Sequence, residues 1–328
     1  RREIDLGHGH IDWTELIEGG IFEFLHRVLL TDIKPPVFHR FMEDREQRRK
    51  LNVWVASQYR PDLEYLPGGL SGRFERYILS DATSPERRIL RAAHYLATKW
   101  EFDFVYEWSR RMYRIEETRK EIYSQVEDLA DIPSVREILT AWEAPDDQKG
   151  VLGFVSLVGQ LGFQKRWAQT PRIPQTSVLG HLLFVAILSY LVALEIGACP
   201  RRAYNDFFGG LFHDLPEVLT RDIISPVKNS VEGFDDMIRR YERKAMEGKI
   251  YPLLPESWIA EIAYFTEDEF RNKIWPESDA MPTVFADADM SEIHNNRESN
   301  PLDVRVIEAC DKLAAYIEAS LSIRLGIT

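Results

Sequence analysis

Apolar residues recur at three- and four-residue intervals through residues 89–104, 151–163, 181–194, 204–212, 234–246 and 304–325. That spacing is the pattern of amphipathic or buried helices. Alternating patterns are rare, and Ile223-Ile224 and Val284-Phe285 are too short to build a sheet. The chain is therefore expected to be all-α.

Helix punctuation points the same way. Ser84-Pro85-Glu86 reads as an N-cap followed by proline in the first turn, and Ser134 reads as a cap beside Pro133. Gly197 and then Pro200 close the helix that begins near His181. Residues 276–301 read as a long polar loop, of a length that is often functional in a compact domain. The short polar break Ala144-Pro145-Asp146-Asp147 suggests a boundary. It separates a helical N-terminal region, 1–145, from a second domain, 146–328. The first region carries no recognisable motif.

Composition narrows the function classes. Apolar residues make up 45% of the 328 positions, enough for a substantial core. A net charge of −12 argues against a general nucleic-acid binder, which needs a basic face. It leaves room for a small anionic substrate, because a bound cation reverses the sign locally. The longest apolar stretch, 182–194, is broken by Ser189 and falls short of the roughly 18 uninterrupted apolar residues of a membrane span. Only Cys199 and Cys310 occur, without metal-ligand or redox spacing. No leader is read at the start, which is Arg1 rather than Met, and a cytoplasmic location is the expectation.

The chemistry concentrates in 207–228, FFGGLFHDLPEVLTRDIISPVK. A residue before proline avoids helical angles. Leu215 is therefore expected to end one helix, with Pro216 opening the next and the His213-Asp214 pair at the junction. Glu217 follows in the first turn. His181, expected to open the apolar helix after Gly180, is a third candidate ligand for a divalent cation, which favours imidazole and carboxylate donors. Asp311 lies in a largely apolar helix, VIEACDKLAAY, where a buried carboxylate needs a cation.

His181, then His213-Asp214, then Asp311 resembles the HD superfamily of metal-dependent phosphohydrolases. The resemblance tightens to the bacterial HD-domain 5'-deoxynucleotidase type. It rests on Arg166-Trp167 ahead of the first histidine and on His213-Asp214-x-x-Glu217-Val218-Leu219-Thr220-x-Asp222 with Pro226-Val227-Lys228. Two further stretches resemble that type: 241–256, its linker helix, and Asp311-Lys312-Leu313-Ala314-Ala315-Tyr316, its last ligand helix. It covers roughly residues 160–328. Pro216, the Ser177-Val178-Leu179-Gly180 lead-in and the 276–301 stretch depart from the family pattern.

The resemblance implies a helical HD bundle holding one divalent transition metal (Mn, Co, Fe or Zn) through His181, His213, Asp214 and Asp311. Glu217 is then the general acid or base, and Asp222 positions water or sugar. Arg166 and Lys228 hold phosphate oxygens, and Trp167 packs on the sugar and disfavours a 2'-hydroxyl. The implied substrate is a small phosphorylated molecule, a 5'-(deoxy)nucleoside monophosphate, not a nucleic-acid polymer or a membrane. Relatives of this type are commonly homodimers.

Plainer readings stand beside these. Asp214 also suits a helix cap, and Glu217 suits the helix dipole. Asp311 has Arg305 and Lys312 as candidate ion partners, Arg166 is equally a solvated side chain, and Trp167 equally a core residue. Asp222 and Lys228 fit a solvated loop pair. His8 and His10 read as a tail, His294 as a surface loop, and Asp287 and Asp289 rank behind Asp311 as last ligand. Other functions within the fold are a nucleotide triphosphohydrolase, a phosphodiesterase or a non-catalytic nucleotide sensor. The first wants more basic residues than Arg166, Arg172, Arg221 and Lys228, and the second wants histidines beyond His294.

Overall fold

Most of the long helices start where a side chain satisfies the open N–H groups of the first turn. Asp12 accepts from Thr14 N at 2.9 Å, Ser84 from Arg87 N at 3.2 Å, Ser177 from Gly180 N at 3.1 Å and Asp303 from Val306 N at 3.2 Å. The result, a computed structural model, is all-α as the periodicity predicts. It describes every residue except 32, 34–40, 168–169, 171, 222–230, 232, 268–270, 279–280, 286–288 and 328. The chain divides into two compact units, Arg1–Leu139 and Thr140–Thr328.

The first unit contains α1 (Arg2–Asp5), α2 (Trp13–Leu29), α3 (Arg45–Leu63), α4 (Leu70–Leu79), α5 (Pro85–Ser109) and α6 (Ile115–Glu127); α7 (Pro133–Trp142) begins in it. Phe22 and Phe74 meet edge to face in its core, their ring centroids 5.5 Å apart. Glu18 is buried against Arg73, with an N–O separation of 2.8 Å. The expected cap at Ser134 is not formed, because Pro133 already occupies the first helical position. Ser134 instead donates its backbone N–H to Glu3 at 2.6 Å. Glu3 belongs to α1, so the segment before His8 and His10 is anchored rather than a tail.

The second unit contains α8 (Gly150–Gln160), α9 (Val178–Glu195), α10 (Pro200–Phe212), α11 (Glu217–Thr220), α12 (Phe234–Ala245) and α13 (Glu256–Thr266). Then come β1 (Lys273–Ile274), β2 (Thr283–Val284), α14 (Asp289–Glu292), β3 (Pro301–Leu302) and α15 (Val304–Arg324). Helices α9, α10 and α15 pack on one another and frame the site. A second core gathers Phe154, Leu215, Met246, Ile250, Leu254 and Ile262.

Three expectations change here. Val284 does join a sheet: β1 pairs antiparallel with β2 and β3, so 276–301 is not simply loop. Each strand is only two residues long, too short for any alternation to show. Helix α9 starts at Val178, three residues before His181. So extended, it is long and apolar enough to cross a membrane by length and composition alone. Its setting is that of a core helix, with His181, Leu182, Val185, Ala186, Ser189, Tyr190 and Ala193 buried. Finally, α10 ends at Phe212 and α11 starts at Glu217, one residue after Pro216. The junction is a run of i to i+3 turns, including Leu215 N to Phe212 O at 2.9 Å and Glu217 N to Asp214 O at 3.0 Å.

A buried polar latch fixes the start of α15 against α10. Arg202, 1% exposed, donates to Asp303, and its Nε lies 3.8 Å from Asp206 Oδ2. Asp206 Oδ1 in turn accepts from Asp303 N at 2.8 Å. Asn205 donates to Pro301 O at 2.7 Å.

Candidate metal centre

Two glycines let the helices close. A β-carbon on Gly210 would lie 3.0 Å from Ala186 Cα, and one on Gly209 would lie 2.6 Å from Ile307 Cδ1. With no side chain at either position, α10 approaches the α9 backbone and the α15 side chains. His213, just past the end of α10, thereby meets His181 in the first turn of α9, with ring centroids 5.7 Å apart.

His181 is fully buried. Its Nε2 lies 2.9 Å from Asp311 Oδ1 without hydrogen-bond alignment. His213 Nδ1 lies 2.8 Å from Gly210 O; a carbonyl only accepts, so Nδ1 carries a proton and Nε2 is the nitrogen turned to the cluster. That Nε2 lies 3.1 Å from Asp214 Oδ2 and is likewise without a hydrogen-bond partner. Buried polar nitrogens are normally satisfied, so two unsatisfied imidazole nitrogens facing carboxylates are a donor set suited to a divalent cation.

His181, His213 and Asp214 can each offer one ligand atom, all within 4.8 Å of one another. Asp311 reaches the group through His181 rather than falling inside that triangle. The plainer partners proposed for Asp311 are engaged elsewhere: Arg305 and Lys312 pair with Glu308 at 3.1 and 2.6 Å.

The electrostatics agree with close packing of these charges. Burial opposes charge on His213, yet Asp214 and then Asp311 outweigh it and push its pKa up to about 9. Burial likewise opposes charge on Asp214, but His213 foremost, then His181 and Arg166, hold it well below the usual carboxylate range. Asp311 is lowered against its burial, chiefly by His181.

Glu217 opens α11 and is buried, 7% exposed. Arg166 is largely buried, with Nε 3.4 Å from Glu318 Oε2. Trp167 donates its indole N–H to the same oxygen at 2.6 Å, and the Arg172 guanidinium lies 4.7 Å over its ring. Neither Arg166 nor Trp167 is the solvated or plain core residue of the simpler reading. Asp222 and Lys228, with Asp287, lie outside the described residues. His294 packs on Phe285 with ring centroids 4.5 Å apart.

Glu318 is the residue the sequence reading missed. It is buried on α15 and lies 3.6 Å from His181 Nδ1. One signal was available, an acidic residue seven positions after Asp311 and so on the same face of the helix.

Compared with known families, residues 158–328 match the HD domain. No curated protein and no solved structure matches the chain. The family match spans more than half of the sequence and contains the whole histidine–aspartate cluster, and the chain therefore belongs to the HD-domain family, whose enzymes are metal-dependent phosphohydrolases.

Proposed function

We propose that this protein is a phosphomonoesterase that hydrolyses 5'-(deoxy)nucleoside monophosphates to nucleoside and phosphate. The observation that carries the reading is the convergence of two unpartnered imidazole nitrogens with Asp214 and Asp311, close to Arg166 and Trp167. His181, His213, Asp214 and Asp311 hold one divalent ion, of the class Mn, Fe, Co or Zn. Lewis acidity at that position lowers the pKa of a water and polarises a phosphoryl oxygen.

The protein's own groups do the rest. Glu217, buried beside the His213-Asp214 turn, moves the proton between water and the leaving oxygen. Arg166 grips phosphate oxygens, for which a planar guanidinium is suited. Trp167 packs on the sugar and disfavours a 2'-hydroxyl. Asp222 and Lys228 take the water-positioning and phosphate-holding roles that the family resemblance gives them. A phosphodiesterase with two ions is less well supported: between Asp214 and Asp311 the chain has only His294, which packs at a tilt against Phe285.

The test is phosphate release from a panel of ribo- and deoxyribonucleoside monophosphates with added Mn2+ or Co2+. Turnover with deoxyribonucleotides ahead of ribonucleotides, and a narrowed ratio in Trp167→Ala, is the expected result. Turnover confined to triphosphates or cyclic nucleotides would overturn the substrate reading.

A further inference from the structure

One face of α15 carries Asp311, then Glu318 two turns on, then Ser322 one turn later. Each touches a different part of the site. Asp311 Oδ1 lies 2.9 Å from His181 Nε2, and Glu318 Oε1 lies 3.6 Å from His181 Nδ1. The imidazole is thus bracketed by two carboxylates on one helix. The other Glu318 oxygen accepts from the Trp167 indole at 2.6 Å and lies 3.4 Å from Arg166 Nε. Ser322 Oγ accepts from Ile173 N at 3.1 Å and donates to Ile173 O at 3.2 Å. Trp167 and Ile173 are therefore both fastened to the helix that presents Asp311.

Trp167 needs such a fastening. Trp167 has a φ of 58°, in the left-handed region that a bulky side chain avoids. Such a backbone persists only where the surroundings impose it.

We infer that Glu318 is a positioning residue that joins the two halves of the site. One oxygen faces His181 Nδ1 from 3.6 Å, too far for a hydrogen bond, and its charge favours the Nδ1–H tautomer, so that Nε2 presents its lone pair beside Asp311. The other holds Trp167 and Arg166 in place for the substrate. A carboxylate on the far nitrogen of a metal-binding histidine orients the ring and raises its basicity. Glu318 touches neither ion nor substrate in this role. The inference rests on the metal-centre reading above.

Glu318→Gln separates the two functions. Its amide oxygen still accepts from Trp167, while its amide N–H faces His181 Nδ1. An N–H there donates to the imidazole lone pair at Nδ1 and moves the ring proton to Nε2, the position an ion needs. Trp167→Phe removes only the other bond. The measurements are calorimetric Co2+ affinity of metal-free full-length protein, and KM and kcat for phosphate release. Thermal melts without metal check folding.

Glu318→Gln is expected to lose about 10- to 100-fold in Co2+ affinity. Trp167→Phe is expected to keep that affinity and to raise KM. Glu318→Ala should show both effects; if it does not fold, Glu318→Gln and Trp167→Phe decide. Wild-type Co2+ affinity in Glu318→Gln would overturn the role of Glu318 and leave the metal centre standing. A wild-type protein that takes up no Co2+ would overturn the metal centre and this role together.

Discussion

Gly210 packs on Ala186 so closely that a β-carbon would lie 3.0 Å from the Ala186 Cα and 3.1 Å from its backbone nitrogen. Both neighbours are helix backbone, which cannot turn aside as a side chain can. Gly210→Ala gains up to about 1 kcal/mol of helix propensity, but overpacking costs about 1–3 kcal/mol. A lower thermal midpoint and a weaker ion affinity are expected, because the shift separates His213 from His181. An unchanged or raised midpoint would contradict the close-packing account.

Asp311 meets the cluster at His181, and its neighbours Arg305 and Lys312 are committed to Glu308. Asp311→Asn keeps the size and removes the charge. Co2+ affinity is expected to fall by at least about tenfold, with the metal-free melt little changed. Chelator competition measures the first and circular dichroism the second.

Ion uptake should depend on pH through His213. Its pKa rises from 6.5 to about 9 in the fold, so the metal-free protein keeps the imidazole protonated at neutral pH. That proton stabilises the metal-free fold fully below the unfolded value of 6.5, and the contribution is lost as pH rises through about 9. An ion needs the same lone pair, so binding expels the proton. Apparent Co2+ affinity should rise about tenfold per pH unit below that pKa and level off above it. A flat profile from pH 7 to about 9 would remove His213 from the ligand set.

Arg202 is the cation of the latch at the start of α15, nearly inaccessible and shared by Asp303 and Asp206. Arg202→Met leaves two buried carboxyls without it. Burial and Asp303 already push the Asp206 carboxyl well above the usual range. Breaking a buried ion pair on one side costs about 3–5 kcal/mol. Urea unfolding is expected to show a loss of that order at neutral pH, and a loss below about 1 kcal/mol would show the latch to be dispensable.

Much of this was legible in the sequence because helices write themselves in three- and four-residue spacing. The segment 304–325 became α15, and 204–212 fell inside α10. The ordered motif from His181 to Asp311 pointed to groups that the fold brings together. What stayed hidden depends on long-range partners. Glu318 resembles any acidic residue on a helix until α15 lies against Trp167, whose separation in sequence is 151 residues. Val284 becomes a strand residue only because Lys273 pairs with it. Helix α9 starts ahead of its apolar run because Ser177 caps it from outside that run.

The proposed ion site is single and is made by His181, His213, Asp214 and Asp311. Equilibrium Co2+ binding to metal-free wild type and Asp214→Ala, with melting recorded for both, tests it most directly. One Co2+ per wild-type chain that raises the melting temperature, with neither effect in a folded Asp214→Ala, is the predicted result. Equal uptake by both proteins, or none by the wild type, would contradict it.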